Sequence, residues 1–420
     1  MSRYQAWAER FGTPLYVYDL DELDAARQAL FDTLPEEFTL FYALKANPHP
    51  GLVRALREGE GRHCRPEISS TGELEAAVAA GFRGKDCLYT GPGKTPGELD
   101  EAIGLGVRLF STDSVSDVRH VAEAARTNGV TANCLLRVNS ASASATSSIR
   151  MTGTPSQFGF DSETLAEVLP TLREIDGISI AGMHFFPLSN AKDEASLIGE
   201  FQHTIELAAR LQRELDLPLR FLDIGGGFTV PYAVPGERGA YPELRGALEA
   251  ALDTHFPRWR TEGPEIACES GRYLVGASGT LITRVSNVKV SRGRKFVILD
   301  AGINTFGGMS GLGRLLPVAV GVEPGETVES ASLVGPLCTP GDILGREIDL
   351  PVLAPGDLVT IPNAGAYGPT ASLLMFLGRP APTEVIVRGE EVLSVSRIEH
   401  HRAYRPLDDS VPASTAGAVR

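Results

Sequence analysis

Lys45 stands directly after the apolar run FYAL, where a short β-rich segment stops. A charged residue in that place is either a snorkelling surface lysine or a functional amine. Of the 39 basic residues only six are lysines (Lys45, Lys85, Lys94, Lys192, Lys289 and Lys295), and only lysine has an amine that readily loses its proton to form a Schiff base. DIGGGF (223–228) ends a second β-rich segment with Gly225, Gly226 and Gly227. Such a run lets backbone N–H groups approach an anion, or simply makes a tight turn. Glu269, in ESGR (269–272), ends a third segment with Gly271 and Arg272 close behind; a carboxylate beside an arginine can also be a structural ion pair. Together, an amine, a glycine loop and a carboxylate on three segments are the contacts that bound pyridoxal 5′-phosphate needs. GPGKT (91–95) imitates the end of a P-loop, but Leu88 stands where that motif needs its first glycine, which argues against nucleotide hydrolysis.

Eight short β-rich runs, 39–47, 65–70, 87–93, 107–113, 133–139, 178–186, 219–228 and 265–274, alternate with amphipathic stretches such as 72–81, 115–128, 194–215 and 241–256. Alternation implies a parallel sheet, and eight units in about 235 residues suit closure into a (β/α)8 barrel better than an open doubly wound sheet. In the stretch 72–81, Leu74, Val78 and Phe82 are expected on one face, with Gly81 as the stop. After residue 275 the pattern becomes all-β. The expected organisation is a barrel over 32–274, with 1–31 and 275–420 forming a β domain that recruits LYVYDLD (15–21), and a mobile tail over 408–420.

The 420 residues suit a barrel of roughly 250 residues plus a smaller domain. A formal charge of -14 argues against gripping nucleic acid or an anionic membrane. With no apolar signal core and no run of 18 apolar residues, a cytoplasmic location is expected. Cys64, Cys87, Cys134, Cys268 and Cys338 are scattered and odd in number, suggesting neither disulfides nor a zinc site. Turn segments GPLCTPGD (335–342) and NAGAYG (363–368) hold Cys338, Asp342 and Tyr367.

At these residues the sequence resembles the fold type III PLP decarboxylases, the group of ornithine, arginine and diaminopimelate decarboxylases that shares its barrel with alanine racemase. The likeness covers nearly the whole chain, through TPLYVYD, FYALKAN, TGELEAA, GPGK, QFGFD, DIGGGF, ESGRYL, GPLCTPGD, GAYG and PTEVIV, in the family order. It implies that Lys45 carries the cofactor and that Gly225, Gly226, Gly227, Gly271, Arg272 and Tyr367 bind its phosphate. Glu269 would bond the pyridine nitrogen, keeping it protonated so that the ring accepts the electrons left by departing CO2. Cys338 corresponds to the cysteine that returns a proton, supplied in the family by the partner subunit, so a homodimer with shared sites is implied. No metal is required.

The segments SSIRMTGTPSQFGFD, DAGINTFGGMSGLGRLLP, GPLCTPGDILGREIDLP and GAYGPTASLLMFLGRPAPTEVIV are similar to the biosynthetic branch that includes glutamyl carrier-protein and siderophore-pathway decarboxylases. Arg314, Thr339 and Asp342 in these loops are expected to contact the substrate. Two departures bear on it. Thr339 follows Cys338 where the diamino-acid enzymes have an acidic residue for a distal amine, and in GMHFFPLSN (182–190) Phe186 replaces a histidine expected over the ring, leaving His184 as either a ring contact or a satisfied barrel histidine. The expected reaction is decarboxylation of an amino acid or amino-acid conjugate, small or carrier-protein-bound. A racemase on the same barrel and a catalytically silent PLP-binding homologue are the rivals.

Overall fold

β-Branched and aromatic runs too short to bury both faces alone must close on one another, and here they do so as a barrel. The computed structural model describes residues 3–141, 147–150, 155–307 and 327–403. The strands Thr39–Ala43, Arg65–Ile68, Leu88–Tyr89, Leu109–Thr112, Ala132–Asn139, Ile178–His184, Phe221–Asp223 and Glu265–Ser270 pair in parallel in that order. The last returns to the first, with Ala267 opposite Thr39 and Ser270 opposite Tyr42. All eight expected strands form. Several stop before their apolar run does: FYALKAN breaks into the single turn Leu44–Ala46, and DIGGGF leaves the sheet after Asp223.

Side chains two apart on a strand share a face. Phe41, Leu88, Leu135, Ala181, Phe221 and Ala267 form one buried apolar cluster with Leu109 packed against it. Two residues further along several of these strands come Ser111, Arg137, Asp223 and Glu269, all buried. The barrel interior is therefore apolar below and polar at the C-terminal ends of its strands, where barrels of this kind place their chemistry.

The helix Thr71–Ala79 is capped by Ser70, whose hydroxyl accepts from the Glu73 N–H at 3.2 Å. It ends before Gly81, whose φ of +93° is the left-handed stop expected of it. Its inward face is Leu74 and Ala77, whereas Val78 is 42% exposed. Of the two positions three and four beyond Leu74, the helix turns the smaller side chain to the core.

The second sheet confirms the return of the N-terminal strand. Leu15–Asp19 pairs antiparallel with Gly279–Ser291, Leu15 opposite Ile282, and parallel with Thr383–Arg388, Leu15 opposite Thr383. Arg294–Leu299, Val328–Val334, Leu358–Ile361 and Glu391–Arg397 extend the sheet. Ile343–Pro351, not anticipated from sequence, pairs with Val328–Val334. The expected mobile tail over 408–420 lies outside the described residues. Among the described residues no helix is long and apolar enough to cross a membrane.

Candidate active site

Lys45 sits on the one-turn helix that ends the first barrel strand, and its side chain is 42% exposed into an opening above the polar layer. Its Nζ donates to both oxygens of Glu67, at 3.1 and 3.0 Å. Glu67, next to last in the second strand, is 2% exposed and also accepts from the Thr90 hydroxyl at 2.5 Å. Partial burial pulls the Lys45 ammonium down, but the charges of Glu67 and then Glu269 outweigh it and hold the group above the ordinary lysine range. Lys94, the other lysine near the barrel mouth, is buried and donates to Asp117 at 2.7 Å. It offers no free amine.

Glu269 is next to last in the eighth strand, at 2% exposure. His184 Nε2 lies 3.0 Å from its Oε1, and His184 Nδ1 lies 2.6 Å from the Ser111 hydroxyl. Burial pushes the Glu269 carboxyl up, but His184 first, then Lys45 and Arg137, bring it below the usual carboxylate range. Its neighbour Asp223 accepts from the Gly225 N–H at 2.9 Å and is pushed up to about 7 by burial and by the Glu269 charge. Glu269 thus favours its ionised form, and Asp223 holds its proton to higher pH than an ordinary carboxyl.

The glycine run is held tightly against the barrel rim. Gly225 and Gly227 have φ of +79° and +129°, where side chains are strained. A Cβ on Gly226 would collide with the Glu269 carbonyl oxygen, and one on Gly271 would come within 2.9 Å of Ala46 Cβ. Arg272 opens the turn Arg272–Val275, its guanidinium carbon 5.2 and 5.0 Å from the Tyr232 and Tyr367 ring centroids. Tyr367, at φ +53°, is pinned by its N–H to the Ala46 carbonyl at 2.7 Å.

Lys45, Phe186, Gly227, Glu269, Gly271, Arg272 and Tyr367 line one cavity of about 400 Å³ including its mouth, together with Ser189 and Asn190. The Phe186 ring centroid is 5.5 Å from Lys45 Nζ, whereas His184, 1% exposed, lies below the cavity and does not line it. The cavity offers an amine, a carboxylate, and a corner of Arg272, Tyr367 and glycine backbone. These complement an aldehyde, a ring N–H and a phosphate. Glu269 Oε1 lies 3.0 Å from His184 Nε2 without a well-aligned hydrogen bond, and a carboxylate has lone pairs for several donors, so acceptor capacity remains for a ring nitrogen. The residues fit pyridoxal 5′-phosphate.

Of the β-domain candidates, the structure brings Tyr367 to this cavity, but not Cys338, Thr339 or Asp342 within one chain. Cys338 is exposed and, like Thr339, is absent from the lining. Asp342, expected to contact substrate, is instead 3% exposed, with its oxygens accepting from the Ile303 and Leu337 N–H groups at 2.8 and 2.7 Å. It fastens the Cys338 loop. Arg314 lies outside the described residues. Sequence reasoning missed Glu67, Asp223 and Ser111, although each is a polar residue at the C-terminal end of a barrel strand.

The pyridoxal binding domain of the pyridoxal-dependent decarboxylases matches residues 20–276. The chain is 31% identical to the L-glutamyl-[BtrI acyl-carrier protein] decarboxylase of Niallia circulans, over 91% of this chain and 90% of that one. It is 34% identical to the diaminopimelate decarboxylase of Deinococcus radiodurans, over 91% and 92%. Among solved structures it is similar to the Helicobacter pylori diaminopimelate decarboxylase complexed with L-lysine, with a TM-score of 0.80, 26% identity and coverage of 93% and 95%. It is also similar to a Vibrio vulnificus lysine/ornithine decarboxylase complexed with putrescine, with a TM-score of 0.74, 26% identity and coverage of 92% and 97%.

Proposed function

Since this chain belongs to the pyridoxal-dependent decarboxylase family, a group of carboxy-lyases, we propose that it removes the α-carboxylate of an amino acid whose far end is conjugated rather than a free amine. One observation carries the choice of substrate. In the loop 335–342 that presents Cys338, the only acid is Asp342, and both its oxygens are taken by backbone N–H groups. Thr339 stands beside the cysteine, so the loop has no carboxylate left to pair a distal ammonium. The carrier-bound glutamyl substrate in the name of the Niallia relative is in keeping with this. The chain's own charge of -14 favours a small conjugate of the siderophore type over an acidic carrier protein.

Pyridoxal phosphate, when bound, supplies the electron sink for decarboxylation. In this proposal Lys45 is the amine that holds the cofactor, and Glu67 keeps that amine in place and charged until it is needed. Arg272, Tyr367 and the Gly225–Gly227 and Gly271 backbone hold the phosphate, and Glu269 faces the ring nitrogen. Phe186 supplies an apolar wall with no proton to give. Cys338, exposed and outside the cavity of its own chain, reaches the cavity of a partner subunit and delivers the proton that replaces CO2. The working unit is then a homodimer.

Incubating the holoenzyme with free ornithine, lysine and meso-diaminopimelate, with small side-chain-acylated amino acids, and with carrier-tethered glutamyl, while trapping CO2, tests the substrate reading. Faster release from the small conjugates is the expected result. Fastest release from a free diamino acid overturns the reading, and fastest release from the tethered substrate replaces the small conjugate with a carrier protein.

A further inference from the structure

We infer that His184 is a positioning residue that acts through Glu269, anchoring its carboxylate as the end of a buried Ser111–His184–Glu269 chain, and that it does not touch the cofactor. The inference rests on the reading of Glu269 as the partner of the ring nitrogen.

His184 ends the strand Ile178–His184 and lies opposite Asp223 in the sheet. It is 1% exposed and Ser111 is wholly buried, so neither reaches the cavity that Phe186 lines. This also removes the obvious alternative for a serine, histidine and carboxylate in contact: with no access for substrate, Ser111 is not a nucleophile. The contacts favour one arrangement of the chain. A hydrogen on Nε2 faces Glu269 Oε1 at 3.0 Å, while Nδ1 and the Ser111 hydroxyl share a bond at 2.6 Å. A tautomer without that hydrogen would set two acceptors face to face at Nε2.

His184, Asp223, Lys45, Arg137 and Glu67 are the charged or titratable groups around Glu269, with Cys268 next to it on its own strand. Against the penalty of burial, His184 is the largest influence keeping Glu269 ionised. Asp223, whose Oδ2 has no hydrogen bond, holds its proton to higher pH than Glu269 does. His184, Asp223 and Glu269 bring three ligand atoms within 4.8 Å of one another, and one shared proton suffices to hold two acids so close. Without His184, burial of Glu269 is opposed only by the more distant Lys45 and Arg137. Its carboxyl is then pushed toward the protonated form, which no longer matches a ring N–H.

The test is an absorbance titration of the cofactor-free protein with pyridoxal phosphate from about pH 6 to about pH 9, following affinity and the position of the visible band. Native protein, His184→Phe, His184→Gln and Glu269→Gln are compared, with circular dichroism to show that each is folded. His184→Phe is expected to bind about tenfold or more weakly, as for loss of a polar partner of a buried charge, and to show a band more sensitive to pH in this range than the native band. His184→Gln, whose amide can still donate to Glu269, is expected to recover most of both properties. If His184→Phe does not fold, Ser111→Ala stands in for it, with a smaller change in the same direction expected. Native affinity and a band no more sensitive to pH than the native one in the folded His184→Phe or its stand-in overturns the inference, as does a His184→Gln variant no better than His184→Phe. A Glu269→Gln variant with native affinity and band overturns instead the reading of Glu269 on which the inference rests.

Discussion

Replacing Glu67 with glutamine preserves the shape of the side chain and its bond from Thr90 while removing the charge that faces Lys45. The two charges are 3.0 Å apart, which corresponds to about 5.5 kcal/mol at an effective dielectric near 20 and about 1.4 kcal/mol in bulk water. With Lys45 42% exposed and Glu67 buried, the pair lies between these limits. Discounted for solvent screening, about 2 kcal/mol is a reasonable figure, or a factor of about 30 in the protonation equilibrium of the amine. Only a neutral amine can attack an aldehyde. In Glu67→Gln the fraction of neutral Lys45 at pH 7 therefore rises about thirtyfold, and stopped-flow absorbance should show faster capture of pyridoxal phosphate by the cofactor-free protein, with the pH profile displaced toward lower pH. Turnover should fall in the same variant, because the amine is no longer held in place for release of product. A capture rate and pH profile identical to native in a folded variant would refute the argument that Glu67 sets the charge of Lys45.

Burial has pushed the Glu384 carboxyl, bonded by the Tyr18 hydroxyl, up to about 7, above the unfolded value near 4.3. The folded chain therefore holds this proton more tightly than the unfolded chain, and the stability that it contributes is complete below about pH 4 and lost as pH rises through about 7. Urea unfolding should find Glu384→Gln equal to native near pH 4 and more stable near pH 8 by on the order of 2 kcal/mol. Asp342→Ala strands two backbone N–H groups and should cost about 3 kcal/mol in the same assay; cofactor affinity should hardly change while turnover falls, because the Cys338 loop is loosened. Lys45→Ala and Cys338→Ala should each be inactive alone. Mixed and reassociated they should regain up to about a quarter of native activity, since half of the dimers are mixed and each mixed dimer has one intact site; no recovery would mean that the sites are not shared.

What was legible in the sequence followed from periodicity and from glycine. The eight barrel strands and the pairing of Leu15–Asp19 with the β domain rest on contiguous apolar runs, and these form as expected. Ile343–Pro351 was not legible because its exposed face is polar and charged, with Arg346, Glu347 and Asp349 interrupting the apolar pattern. Val78 went to the wrong face because spacings of three and four are equally helical, and only packing chooses between Ala77 and Val78. In the site, Lys45 and Glu269 stood out by their place at strand ends. Glu67 occupies the same kind of place but follows a proline and an arginine in RPEISS, where a charge attracts no notice. Asp342 looked like a substrate contact because an acid in a glycine-rich turn beside a cysteine is usually exposed; its capture by two backbone N–H groups is a tertiary fact. His184 could be read two ways from sequence alone; Ser111 at its other nitrogen comes from a strand one removed in the barrel, a contact only the fold brings together.

The account depends first on Lys45 being the amine that holds the cofactor. Borohydride reduction of the holoenzyme followed by peptide mass spectrometry tests this directly, because reduction fixes pyridoxal phosphate to whichever lysine carries it. The expected result is a phosphopyridoxyl group on Lys45 alone. A group on Lys94 or another of the six lysines, or none on any lysine of a protein that shows the cofactor's absorbance, would contradict the account.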